Sequence, residues 1–135
     1  MYFQSLVSEE YKDRITFHGW KAAEEIQLLL KKSYIMIFPS IYPEAFGISG
    51  IEAMMQGKPV VGFDVGGVST WLKHTETGFL VPVKNVKKMT EKIQFLLDNK
   101  TIYAEMCKKA RKVALEEFSP QVHIEKLIEI YSKAI

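Results

Sequence analysis

The chain has 135 residues, 47% of them hydrophobic and 25% charged, an ordinary globular mix long enough to bury one core. The 18 basic and 16 acidic residues leave a net charge of +2, which argues against a nucleic-acid binder with its clustered basic face. The single cysteine, Cys107, excludes an internal disulfide and a metal cluster built around it. It points to a reducing, cytoplasmic setting. The longest apolar run, Tyr34 to Phe38, is too short to span a bilayer, and no signal peptide is visible.

Met1 to Ser5 resembles the remnant of a viral protease site ending in Y-F-Q-S and is set aside from fold reasoning, leaving 6–135 as the expected domain. Arg14 to His18 alternates and meets Gly19, which predicts a strand and turn. Lys21 to Lys32 has apolar residues at helical spacing, with acids early and lysines late, an order that suits the helix dipole. Tyr34 to Phe38 is continuously apolar, as for a strand covered on both faces; Pro39 and Pro43 then build a rigid loop. A helix is expected from about Gly47 to Gln56 with Gly57 as its C′ residue. Pro59 to Phe63 predicts a second buried strand, Asp64 to Thr70 a turn and helix start, and Gly78 to Val81 a fourth strand ended by Pro82.

Beyond Pro82, at about 86–135, three amphipathic helices follow: Val86 to Asn99, Tyr103 to Glu117 and Gln121 to Ala134, with Ser119-Pro120 as cap and first-turn residue. Strands alternating with helices imply an α/β fold, a Rossmann-like parallel sheet with flanking helices joined by right-handed crossovers. The lysine pairs Lys31-Lys32, Lys87-Lys88 and Lys108-Lys109 read as solvated helix faces. The sharper reading is weak contact with an anionic membrane surface.

The chemistry concentrates between Phe38 and Gly62, F-P-S-I-Y-P-E-A-F-G-I-S-G-I-E-A-M-M-Q-G-K-P-V-V-G. A loop after a parallel strand lies at the carboxyl edge of the sheet, where open α/β sheets bind ligands. The helix start at Gly47 to Gly50 aims unpaired N–H groups at an anion. Gly47 leaves room for a ligand to approach the backbone, and Ser49 adds a hydroxyl. Glu44 and Glu52, with seven residues between them, would repel a diphosphate and so suit the hydroxyls of a sugar or ribose. Alternatively, the two carboxylates merely favour the helix dipole from the surface.

This stretch resembles the donor-site signature of retaining GT-B glycosyltransferases, in particular glycosyltransferase family 4. The matching residues are Pro39-Ser40, Glu44, Phe46-Gly47, Glu52-Ala53-Met54, Gly57, Pro59-Val60-Val61, Gly66-Gly67 and Thr77 to Val81. The resemblance implies part of the C-terminal domain of a GT-B fold. Such an enzyme moves a sugar from a nucleotide-diphosphate sugar to a saccharide or lipid-linked acceptor, with retention of configuration. It needs no cofactor and no essential metal. Glu44 would contact the transferred sugar, and Phe46, Gly47, Ile48 and Ser49 the sugar and distal phosphate. Glu52 would hold the ribose, and Gly19, Trp20 and Lys21 would lie near the base. For Trp20 a packed loop aromatic is the other reading, and His18 reads as structural.

Two departures from the family pattern stand out. No Arg/Lys pair for the diphosphate, and none of the two strand–helix units that carry it, precedes Leu6. The isolated piece is therefore expected to be inactive, and a half-sheet with an open edge predicts self-association. Ser69-Thr70 stand where the family has a Pro-Glu-type pair, with Thr70 expected as a weaker helix cap. A non-catalytic nucleotide-sugar-binding module is the main alternative; an epimerase-type GT-B enzyme fits less well, because its motifs differ. Many relatives act at the cytoplasmic membrane face, so peripheral membrane contact by the whole protein is a further expectation.

Overall fold

The structure, a computed structural model, describes residues 2–134. Met1 and Ile135, the outer bounds of the two expected segments, lie outside them. Three strands, β1 (Met36–Phe38), β2 (Val60–Phe63) and β3 (Gly78–Val81), form a parallel sheet in chain order. Met36 pairs with Val60, and Val60 with Gly78. The helices are α1 (Tyr2–Ser5), α2 (Ala23–Lys32), α3 (Ile48–Met55), α4 (Val68–Trp71), α5 (Val86–Asp98), α6 (Lys100–Phe118) and α7 (Pro120–Lys133). The mixed α/β class and the parallel order agree with the alternation in the sequence.

β2 is the central strand and is buried along its whole length, which is why it reads Val-Val-Gly-Phe without alternation. Around it Ala53, Met54, Val68, Trp71, Leu72, Leu96, Ala110 and Ala114 are fully shielded from water. α5 packs on β2 and β3, and α6 packs on α3. Small residues at Ala110 and Ala114, one turn apart, let α6 lie close. Arg111 Nη1 donates to the Met55 carbonyl at 2.6 Å, satisfying an orphan acceptor at the C-terminal end of α3. Gly57 follows in the left-handed region at φ +69 and its N–H bonds the Met54 carbonyl at 2.8 Å, the C′ role expected of it.

The other boundaries follow from caps. Asn85 Oδ1 accepts the Lys88 N–H at 2.9 Å and starts α5. Ser119 Oγ accepts the Val122 N–H at 3.4 Å, with Pro120 in the first turn of α7. Glu25 reaches back to the Ala22 N–H at 3.1 Å at the start of α2, half of a capping box, since Ala22 offers no acceptor. The three lysine pairs are all exposed on helices, the solvated faces expected of them.

Three expectations are corrected. Arg14–His18 is not a strand: Glu9–Arg14 forms a 3-10 helix, and residues 15–19 carry no regular structure. Ile15 has strand-like torsions, φ −121 and ψ 123, but a strand exists only through a neighbour, and among the described residues none pairs with this segment. Gly78–Val81 is accordingly the third strand and not the fourth. β1 is three residues long, and Ile37 is 45% exposed, so the strand is not covered on both faces. β1 forms one edge of the sheet, and Ile37 is left partly open to solvent there. Thr70 does not cap α4 from outside. It lies within the helix, and its Oγ1 donates to the Gly67 carbonyl at 2.6 Å.

Candidate donor-binding site

The corner between β1 and α3 is built from both sides. Phe38 ends β1 in the core, and the chain leaves through Pro39. Ser40 Oγ then donates to Glu44 Oε1 at 2.7 Å, so a charge-assisted bond within the loop orients the half-buried carboxylate. Glu44 is held by its backbone as well: its carbonyl accepts the Gly67 N–H at 2.8 Å. A Cβ on Gly66 would stand 2.4 Å from the Glu44 oxygen, and one on Gly67 2.4 Å from the Ala45 oxygen. The glycine pair after β2 is thus the surface on which the Glu44 loop rests.

Trp71 braces the next residues. Its indole Nε1 donates to the Phe46 carbonyl. Its ring leaves no space for a side chain at Gly50, where a Cβ would approach to 2.1 Å. Gly47 has φ +87, and its missing Cβ faces Phe38 at 3.1 Å and Trp71 at 3.3 Å. That adds a structural reason for this glycine. It is required by a left-handed torsion and by core packing beneath the loop.

From Gly47 the chain enters α3. The Gly50 N–H turns back to the Gly47 carbonyl at 3.1 Å. Among the described residues the N–H groups of Ile48 and Ser49 have no partner, as expected in a first turn. Glu52 follows one turn on, half-buried, with no ion pair or hydrogen bond to its carboxylate among the described residues. Phe46, Ile48 and Glu52 line an open cleft of about 640 Å³. Its opposite wall is the α6–α7 elbow: Glu117, Phe118, Pro120, His123 and Lys126. The walls are largely apolar, with Glu52, Glu117, His123 and Lys126 as polar points.

Of the expected site residues, Phe46, Ile48 and Glu52 line this cleft, while Glu44, Gly47 and Ser49 lie on the same loop-to-helix segment outside its lining. The structure does not bring Gly19, Trp20 and Lys21 into contact with that corner. Gly19 is left-handed at φ +66 with nothing within 4 Å of a built Cβ. Trp20 is 89% exposed, so it is not a packed loop aromatic. Lys21 Nζ lies 3.0 Å from Glu25 Oε1. With the Ala22 N–H, Lys21 holds the Glu25 carboxyl below the usual range. His18 and Lys21 border a separate hollow beside Leu28 and Leu29. Among the described residues no group of three or more His, Cys, Asp or Glu is placed to hold a metal ion.

Sequence reasoning missed the braces. Gly66-Gly67 was visible as a motif, but its partner in the Glu44 loop lies some twenty residues away in the chain. Trp71 and Phe118 carried no local signal at all.

The family model for glycosyl transferases group 1 matches residues 3–113. The chain belongs to this family. It is 36% identical over 108 residues to a trehalose synthase of Thermococcus litoralis, covering 80% of this chain and 26% of that protein. Its fold superposes on a sucrose-phosphate synthase of Thermosynechococcus elongatus with a TM-score of 0.88 at 28% identity, covering 98% of this chain and 33% of that one. It also matches the Anabaena protein HepE in complex with UDP and glucose, with a TM-score of 0.85 at 26% identity, over 92% of this chain and 33% of that one. These neighbours are GT-B glycosyltransferases, so the three-stranded parallel sheet is a Rossmann-like part of that fold. The chain thus spans about a quarter to a third of the relatives' length. No helix among the described residues is long and apolar enough to cross a membrane.

Proposed function

We propose that the chain supplies the donor-binding corner of a retaining hexosyltransferase of glycosyltransferase family 4. The whole protein moves a sugar from a nucleotide-diphosphate sugar to a saccharide or lipid-linked acceptor. One observation carries the reading: Glu44 and Glu52 flank the unpaired Ile48 and Ser49 amides at one corner of the sheet. The complex of the similar HepE with UDP and glucose supports the ligand class.

In this reading the distal phosphate and sugar meet the backbone at Phe46, Gly47, Ile48 and Ser49. Each favourable contact of an anion with a helix start contributes about 0.3–1 kcal/mol. These amides matter most as the bond to the anomeric carbon breaks and charge gathers on the leaving diphosphate, because they are already aimed there. Glu44, oriented by Ser40, accepts hydrogen bonds from the sugar hydroxyls and so fixes the anomeric carbon. Glu52 accepts from the ribose hydroxyls. Transfer with retention proceeds through an oxocarbenium-like state on one face, and no carboxylate of this chain is assigned as a nucleophile. Amides and basic side chains, rather than an essential metal, offset the leaving-group charge. Gly19, Trp20 and Lys21 are assigned to the base once the two halves of the site are assembled.

The whole protein works in the cytoplasm, with peripheral contact at the inner membrane face where its acceptor is lipid-linked. The isolated chain is inactive and self-associates through the open edge of β1; light scattering independent of concentration would count against that. Calorimetric titration of UDP, GDP, ADP and their sugars into the whole protein tests the central reading. Binding of one nucleotide, abolished by Glu52→Ala, is the expected result. No binding by a folded protein would replace the enzyme with a non-catalytic module.

A further inference from the structure

Phe118 is the last residue of α6, and the next two residues determine this. Ser119 precedes a proline and is held in extended torsions, φ −66 and ψ 153, which ends the helix. Pro120 then starts α7. The elbow leaves the Phe118 ring against the core and 5.8 Å from the Phe46 ring, with the planes at 63°. This edge-to-face geometry is favourable. Phe46 is also anchored by its carbonyl, which accepts the Trp71 indole N–H, and it is 40% exposed. The residue after it, Gly47, has no side chain with which to lock its own left-handed torsion. Trp71 and Phe38 fix the chain beneath Gly47 and Gly50, and what holds Phe46 sets the remaining freedom of the Ile48 and Ser49 amides.

We propose that Phe118 is a positioning residue for the donor corner: its ring clamps Phe46 from the α6–α7 elbow and so sets the aim of the first-turn amides of α3. Its role is exerted through Phe46. The inference rests on the donor-site reading above for its functional meaning, but the clamp itself is measurable without ligand.

The test is amide hydrogen exchange on the full chain, followed by titration of the whole protein with UDP and UMP. An edge-to-face pair accounts for a factor of about two to ten. Phe118→Leu, which keeps apolar bulk and hence the fold, is expected to raise exchange at Gly50, whose N–H is bonded to the Gly47 carbonyl, by that factor. Val60 to Phe63 stay unchanged, and Phe118→Tyr, which keeps a ring edge, behaves as the parent. In the whole protein Phe118→Leu weakens UDP by a similar factor and leaves UMP unchanged, because the affected amides face the distal phosphate. Unchanged exchange at Gly50, a rise shared equally with β2, or equal weakening of UMP and UDP would each overturn the proposal. If the exchange pattern appears but neither nucleotide binds the parent protein, the donor reading fails while the clamp stands.

Discussion

Gly67 donates its N–H to the Glu44 carbonyl at 2.8 Å, and a side chain on Gly67 would press within 2.4 Å of the Ala45 oxygen. Two segments that look unrelated along the chain are thus one mechanical unit. The loop carrying the first glutamate is shaped by the turn after the central strand. Gly67→Ala is expected to displace that loop and to cost about 1–3 kcal/mol, the usual range for overpacking. Thermal denaturation checks the stability loss. In the whole protein, donor binding should fall more steeply than stability alone accounts for. A variant with parental stability and parental donor affinity would show that the contact is slack.

Trp71→Phe keeps most of the buried ring volume and removes the N–H that meets the Phe46 carbonyl. A carbonyl left without its donor costs about 1–3 kcal/mol where it is desolvated. Chemical denaturation should show a loss in the lower half of that range, since Phe46 itself is partly exposed. The stronger expectation concerns Gly50. Gly50→Ala brings a methyl group into the indole, and the combination Gly50→Ala with Trp71→Phe should recover part of the loss. Strict additivity in that double-mutant cycle would refute the contact as the cause.

Ser40→Ala tests how the first carboxylate is oriented. Its hydroxyl is the sole hydrogen-bond donor to the Glu44 side chain among the described residues. Removing it should leave stability nearly unchanged, because the pair is only half-buried. Donor affinity in the whole protein should fall by up to about tenfold, equivalent to ~1.4 kcal/mol. Titration with the nucleotide sugar and with the free nucleotide separates the outcomes: only the sugar-bearing ligand should respond.

Acid should loosen the start of α2. The Glu25 carboxyl is held down first by Lys21 and then by the Ala22 N–H. Its folded value is lower than its unfolded one, so its contribution is present above the ordinary carboxylate value. That contribution disappears as pH falls through the lowered one. NMR titration of Glu25 in the parent and in Lys21→Ala should show the midpoint moving back up toward the ordinary value. The same midpoint in both proteins would remove Lys21 from the account.

The order of elements from Phe38 to Gly62 was legible because each left a local mark. β2 is an apolar run, Gly57 ends a helix in the left-handed region, and Ser119-Pro120 separates two helices. Arg14 to His18 misled because alternation reports a surface suited to pairing, while the strand itself depends on a partner elsewhere in the chain. Ile37 misled for a similar reason, since an apolar residue does not reveal that it stays partly exposed. Lys100 starts α6 three residues before the apolar pattern does, a boundary that periodicity alone places poorly. At the site, the residues proposed to touch the ligand were visible as a motif. The residues that hold them were not, because Trp71 and Phe118 act across long separations and look like ordinary core aromatics in sequence.

The bond from Arg111 to the Met55 carbonyl has a consequence at the far end of α3. This helix is fixed at its tail by α6 and at its head by Trp71, so it behaves as a strut of set length and set direction. Its two unpaired amides are in place before any anion arrives. Little conformational entropy is then lost at this corner on association, and affinity depends on the enthalpy of the contacts themselves. In calorimetric terms, cutting the tail anchor with Arg111→Ala should make anion binding entropically less favourable, although position 111 is remote from the ligand.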